Sequence, residues 1–230
     1  MVYNYVGYLR VNIMKKLLKI LLCLTFAYVM CVDSFASSDV IINRIESDSL
    51  TGDGPGFASE IAVAGDSYAY YFCEDEKNRE IKLHGYFHQG YTIEMNMDTL
   101  RIAFSSLQKI VFLSISVNDR HKNTHPEEFE KELTELFDIA ARNKKIVIVH
   151  SYMYYDLASV PNFSYSTFEY DAMIRNLIMK YDNVYYIDMS DCTGAEYMRS
   201  DGIHYNKKFN DIMYDRIVFM IDYIRKNFYE

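Results

Sequence analysis

Short, nearly unbroken apolar runs recur along this chain, and stretches with helical apolar spacing separate them. Glu60-Ile61-Ala62-Val63-Ala64 is the first run, and it stops at Gly65. Ile110-Val111-Phe112-Leu113-Ser114-Ile115, Lys145-Ile146-Val147-Ile148-Val149 and Val184-Tyr185-Tyr186-Ile187-Asp188 repeat the signature. A strand with one wet face alternates polar and apolar residues, whereas a strand covered on both faces does not. These four runs therefore predict buried parallel strands. Ile81–Phe87 is more polar and suits a sheet edge.

The intervening segments supply the covering helices. Phe129, Leu133, Leu136, Phe137, Ala140 and Ala141 fall on one helical face. Thr124-x-x-Glu127, with Pro126 in the first turn, predicts the capping box of that helix. Ser166-x-x-Glu169 predicts another, before a helix carrying Met173, Ile174, Leu177, Ile178 and Tyr181. A last helix holds Phe209, Ile212, Met213, Ile217, Met220, Ile221, Ile224 and Phe228. Alternation of this kind predicts an α/β fold with a parallel sheet between helical layers. Half of the 230 residues are apolar, enough for a real core. A net charge of −8 argues against a protein that grips nucleic acid, which needs a basic face. The four cysteines lack the paired spacing of a structural zinc site, and His84, His88, His121, His125 and His150 lack ligand spacing. No metal or cofactor is expected.

The N-terminal part reads as an address. Met14-Lys15-Lys16 leads into Leu17-Leu18-Lys19-Ile20-Leu21-Leu22-Cys23-Leu24, a basic region followed by an apolar one. Ser34-Phe35-Ala36 then offers the small residues of a signal-peptidase site. The apolar run is short for a bilayer span of about 20 residues. Met30 before Cys31 argues against lipidation at that cysteine. The expected organisation is an extension and signal peptide over 1–36 starting at Met14, an irregular lead-in over 37–59, and one folded domain over 60–230. Cleavage would leave 20 basic against 31 acidic side chains, a net charge of −11. It would also leave Cys73 and Cys192 as the remaining cysteines, either bridged or separate, in a secreted or extracytoplasmic protein with no stable membrane span.

Ligands of open parallel sheets bind beyond the carboxyl ends of the strands. Gly65-Asp66-Ser67 follows the first strand, so Ser67 sits where a helix starts and its N–H can meet an oxyanion. Asn118-Asp119 follows the Ile110 strand, and Asp201-Gly202-Ile203-His204 follows the last. A serine nucleophile needs a base, and His204 is of the right kind. Asp201, three residues upstream, can hold that imidazole.

Gly65-Asp66-Ser67, then Gly90, then Ser116-Val117-Asn118-Asp119, then Asp201-Gly202-Ile203-His204, in this order, resemble the SGNH, or GDSL-type, hydrolases. The resemblance spans residues 60–230. It implies a flavodoxin-like three-layer α/β/α sandwich with a central, mostly parallel five-stranded sheet. It also implies ester hydrolysis by Ser67 as nucleophile, His204 as base and Asp201 as its partner. The oxyanion donors it implies are the backbone N–H groups of Ser67 and Gly90 and the side chain of Asn118. Ser116 stands where the family has glycine. Gly85 is the alternative to Gly90, which is preferred because Tyr91-Thr92 follows it and Gly85 lies in a strand-like run.

The expected activity is hydrolysis of an acetyl or short acyl ester, with an acylated glycan as substrate and no cofactor. The glycan is what the resemblance implies more than what the residues show; export and the 22 tyrosines suit it, and their rings either stack on sugars or simply pack. An O-acyltransferase or lysophospholipase would carry the same triad, and a catalytically silent glycan-binding or cell-surface accessory protein is the alternative of another class.

Overall fold

The computed structural model describes residues 59–115, 117–152 and 164–228. The signal-like segment, the lead-in up to residue 58, Ser116, Tyr154, Tyr155 and the Phe228 side chain lie outside the described residues. Five strands form one sheet: β1 (Glu60–Gly65), β2 (Lys82–Phe87), β3 (Ile110–Ser114), β4 (Ile146–His150) and β5 (Val184–Ile187). Their order is β2-β1-β3-β4-β5 and every pairing is parallel. The polar run Lys82–Phe87 takes the edge, half-buried, while all five residues of β3 and of β4 are buried.

Among the described residues six helices accompany the sheet: α1 (Ser67–Glu76), α2 (Ile93–Ser105), α3 (Val117–His121), α4 (Pro126–Arg142), α5 (Thr167–Ile178) and α6 (Lys207–Phe228). Successive strand residues face opposite ways. Ala62, Ala64, Val111, Leu113, Val147 and Val149 therefore pack with Leu100, Phe104, Phe129, Leu133, Leu136, Ile174 and Leu177 of α2, α4 and α5. On the other face Phe112 meets Phe72 of α1, with ring centroids 5.2 Å apart. Helix α6 lies against α1 and buries Phe209, Met213, Ile217 and Ile224. Each fully buried Leu, Ile or Phe contributes roughly 1.5–3 kcal/mol, against at most about 1 kcal/mol for an exposed ion pair. The sandwich thus rests on its two apolar interfaces. None of the described helices is long and apolar enough to cross a membrane.

Helix α5 has the expected box, Ser166 and Glu169 each bonding the other's backbone N–H. The box predicted at Thr124 does not form. Pro126 occupies the first helical turn, which makes His125 the cap, and its Nδ1 accepts the Glu127 N–H at 3.2 Å. Thr124 instead donates its N–H to the Asp119 carbonyl at 2.9 Å and accepts from the Tyr170 hydroxyl. Cys73 and Cys192 are free thiols. Burial, then Glu74, pushes the Cys73 thiol up to about 12.

Two features at the carboxyl edge bear on stability. Gly65 has φ +149°, and a Cβ there would stand 1.9 Å from the Ser114 carbonyl oxygen. That oxygen accepts the Asp66 N–H at 3.2 Å, so it cannot retreat without loss. Gly65→Ala should cost at least about 3 kcal/mol in urea unfolding, or prevent folding, since strain and a backbone clash add. A variant of wild-type stability would contradict this register. His150 is buried, with Nδ1 against the Ser151 carbonyl at 2.7 Å and Nε2 against the Ser114 hydroxyl at 2.9 Å. The ring therefore donates from Nδ1 and accepts at Nε2. Burial pushes it down from 6.5 to about 4. Between those values the unfolded chain binds the extra proton, so this contribution is complete above pH 6.5 and is lost as pH falls toward 4. Relative to His150→Gln, the wild type should lose roughly 3 kcal/mol between pH 7 and pH 4. Parallel unfolding curves for the two proteins across that range would contradict it.

Candidate active site

In this strand order the chain leaves β1 toward β2 on one side and returns to β3 on the other. A crevice opens between the carboxyl ends of β1 and β3. Asp66 and Ser67 follow β1 directly at that switch point. Asp66 caps α1, its Oδ1 accepting the Tyr68 N–H at 2.9 Å. Ser67 then opens the helix, where the first N–H groups have no acceptor within the helix. Asp66 Oδ2 accepts from Asn118 Nδ2 at 3.3 Å, which ties the start of α3 to the start of α1. Asn118 is thus a residue of a short helix rather than of a turn.

The other half of the site comes from the far end of the chain. Met198 and Tyr205 form an isolated antiparallel bridge, and Arg199 N–H donates to the His204 carbonyl at 2.6 Å. Gly202, at φ +67°, lets the loop turn between them. Inside this turn Asp201 Oδ1 accepts the N–H groups of Ile203 and His204, each at 2.9 Å. Asp201 Oδ2 lies 2.7 Å from His204 Nδ1, and His204 Nε2 lies 2.9 Å from Ser67 Oγ. Nδ1 therefore carries the proton given to Asp201, and Nε2 accepts the Ser67 hydroxyl. Partial burial raises the Asp201 carboxyl, but the bonds from the His204 side chain and the two N–H groups outweigh it. The net pull takes it down to about 2. This carboxylate stays ionised throughout the neutral pH range.

Gly90 lies exposed in the turn after β2 with φ +78°. A Cβ there would meet open space, so the backbone conformation, not crowding, asks for glycine. Gly85, the alternative, lies within β2 beneath the Phe87 ring. The turn is tethered at both ends. His88 N–H donates to the Gly65 carbonyl at 3.3 Å, and Ile93 N–H donates to both oxygens of Asp119 at 3.1 and 3.2 Å. Asp119 is buried, and burial pushes its carboxyl up to about 8, against the opposing pull of those bonds. Asn96 Nδ2 also reaches the Gly65 carbonyl, at 2.6 Å. Ser67, His204 and Asp201 are thus joined in one hydrogen-bonded chain. Asn118 is tied to Asp66, the residue before Ser67, and Gly90 lies in the turn that follows the neighbouring strand, β2.

Residues outside the expected set complete the surroundings. Tyr71 lies against His204 with ring centroids 4.7 Å apart, and Tyr68 approaches it edge-on at 5.8 Å. Tyr70 packs on Phe87, and His88 stacks on Tyr91. Asp66 was legible only as a neighbour of Ser67, because its double role needs two segments 52 residues apart to meet. The other histidines go elsewhere: His84 faces Glu60 at 3.3 Å, and His125 is a cap. Among the described residues no three His, Cys, Asp or Glu side chains are grouped to hold a metal ion.

No protein-family model and no curated protein sequence matches the chain. Solved structures do. A GDSL-like lipase from Bacteroides thetaiotaomicron aligns with TM-score 0.62 at 16% identity, over 82% of this chain and 98% of its own. A lipase/acylhydrolase from Enterococcus faecalis aligns with TM-score 0.57 at 16% identity, over 73% of this chain and 95% of its own. The psychrotrophic esterase EstA from a Pseudoalteromonas species, in a structure inhibited by monoethylphosphonate, aligns with TM-score 0.56 at 14% identity, over 71% and 99%. At such identities the likeness is one of architecture, and it spans nearly the whole of each neighbour: this chain has the fold of the SGNH, or GDSL-type, hydrolases.

Proposed function

We propose that this protein is an exported serine esterase that removes acetyl or short acyl groups from a carbohydrate, with Ser67, His204 and Asp201 as its triad. The observation that carries the reading is the chain from Ser67 Oγ to His204 Nε2 (2.9 Å) and from His204 Nδ1 to Asp201 Oδ2 (2.7 Å). It lies at the strand ends where this fold binds ligands. The esterase and lipases that share the architecture agree with it.

In this mechanism His204 takes the Ser67 proton as Oγ attacks the ester carbonyl, and Asp201 stabilises the imidazolium that forms. Negative charge gathers on the former carbonyl oxygen. The Ser67 and Gly90 N–H groups and the Asn118 amide are the donors assigned to it, with Asp66 holding that amide. The tetrahedral adduct collapses, and His204 gives its proton to the departing sugar hydroxyl. Water then repeats the sequence on the acyl-enzyme and releases the acid and free Ser67. The sugar preference rests on the aromatic side chains Tyr70, Phe87 and Tyr91 near the strand ends and on the signal-like leader. Glycan recognition commonly uses such ring faces beside polar groups.

The purified domain should hydrolyse p-nitrophenyl acetate, and Ser67→Ala should lower the rate about 10⁴-fold or more. Asn118→Ala should lower kcat about 10²- to 10³-fold with little change in KM, because an oxyanion donor acts on the transition state. A folded wild type silent toward every short-chain ester would overturn the esterase reading. Wild-type kcat in Asn118→Ala would remove that residue from the oxyanion site.

A further inference from the structure

The bond between Ser67 and His204 joins groups 137 residues apart, one on α1 and one on an irregular loop. Asp201 cannot fix that distance. It belongs to the same loop as His204, and its side chain is 42% exposed. Their mutual bond orients the imidazole within the loop but leaves the loop free to shift as a unit over α1. Something must hold the loop to the helix.

Arg199 stands where such a tie is needed. Its Nη2 donates to Asp75 Oδ2 at 2.7 Å, and Asp75 lies on α1 one turn beyond Tyr71. Its Nε donates to the Tyr205 carbonyl at 2.9 Å, and its backbone N–H donates to the His204 carbonyl. The guanidinium carbon sits 4.2 Å from the centroid of the Tyr71 ring, which in turn packs on His204. Asp75 is itself held by Asn210 Nδ2 of α6 at 2.7 Å. A planar guanidinium can bond in its plane and stack on its face at once, which an ammonium cannot. The Asp75 carboxylate also balances the guanidinium charge, so the tie sets no uncompensated cation beside the ring that must become an imidazolium.

We propose that Arg199 is a positioning residue of this site, clamping the loop that carries Asp201 and His204 onto α1 through Asp75 and bracing the imidazole through Tyr71. It touches neither substrate nor reacting atoms. Its effect runs through the distance between Ser67 Oγ and His204 Nε2, and a misplacement of about 1 Å in such a pair can cost about 10²-fold in rate. Tyr68, whose hydroxyl donates to the Ile203 carbonyl at 2.9 Å, is a second tie and keeps the loop docked when the first is cut.

Steady-state kinetics on Arg199→Met test this directly. With p-nitrophenyl acetate, kcat should fall about 10- to 100-fold while KM stays within about twofold. The melting temperature should move by only a few degrees. Arg199→Lys should recover part of kcat, because it keeps the ion pair and loses the stack. Asp75→Asn should lower kcat alone, and combined with Arg199→Met it should add little, since both cut one tie. Wild-type kcat in Arg199→Met, full additivity with Asp75→Asn, or a loss that only tracks the fraction unfolded would each overturn the clamp. The clamp rests on the esterase reading, and the two fail differently. Should wild type and Ser67→Ala be equally inactive, the reading falls. The His204 Nδ1–H resonance, assigned by nuclear magnetic resonance, then still decides whether Arg199→Met displaces the imidazole.

Discussion

Between β1 and β3 the backbone at Gly65 comes so close to Ser114 that no side chain fits, and everything at the carboxyl edge is arranged around that approach. The Ser114 carbonyl takes the Asp66 N–H. The Gly65 carbonyl takes the His88 N–H and the Asn96 side chain. One glycine thereby fixes where α1 starts, where the chain leaves β2, and how α2 packs beside it. Ser67 is the next residue but one, so its place on the helix start follows from strand register rather than from its own contacts. The site is an edge of the sheet before it is an arrangement of side chains.

Three carboxylates at this edge do different work because water reaches them differently. Asp66 and Asp119 are buried and serve as internal fasteners, one on Tyr68 N–H and Asn118, the other on Ile93 N–H. For Asp119 the loss of water outweighs the bonds it accepts, and its carboxyl is pushed up to about 8. Asp201 is partly solvated and accepts three hydrogen bonds within its own turn, which hold it down to about 2. Only Asp201 combines a permanent charge with direct contact to the imidazole. That separates the proposed partner of the base from the supports of the loops by environment, although all three are aspartates within or beside the same motifs.

Much of this was legible in the chain. The unbroken apolar runs placed β1, β3, β4 and β5 to within a residue, because burial on both faces leaves no polar position to confuse the pattern. The polar run at Ile81–Phe87 took the predicted edge. Ser166 and Glu169 signalled their helix by chemistry that is wholly local. Thr124 misled for the same local reason: Pro126 shifted the cap by one residue, and the distant pull of Asp119 and Tyr170 claimed the threonine. Pairing of Asp201 with His204 needed only a three-residue reach. Asp66 on Asn118 and Arg199 on Asp75 join segments 52 and 124 residues apart, and no spacing in a sequence announces such a meeting. The turn expected to give the second oxyanion donor was a choice between two glycines. The conformation at Gly90, with φ +78°, and the Phe87 ring over Gly85 give the two different structural tasks.

The central claim is that the hydrogen bond from Ser67 to His204 equips Ser67 as the proposed nucleophile, beyond its place as the first residue of α1. Covalent labelling of the folded protein by a fluorophosphonate, with the adduct mapped by mass spectrometry, tests this without any assumption about the natural substrate. The account predicts one phosphonylated residue, Ser67, with labelling that slows sharply in His204→Ala while the fold persists. A folded wild type that takes up no label, or label spread over other serines at equal rates, would contradict it.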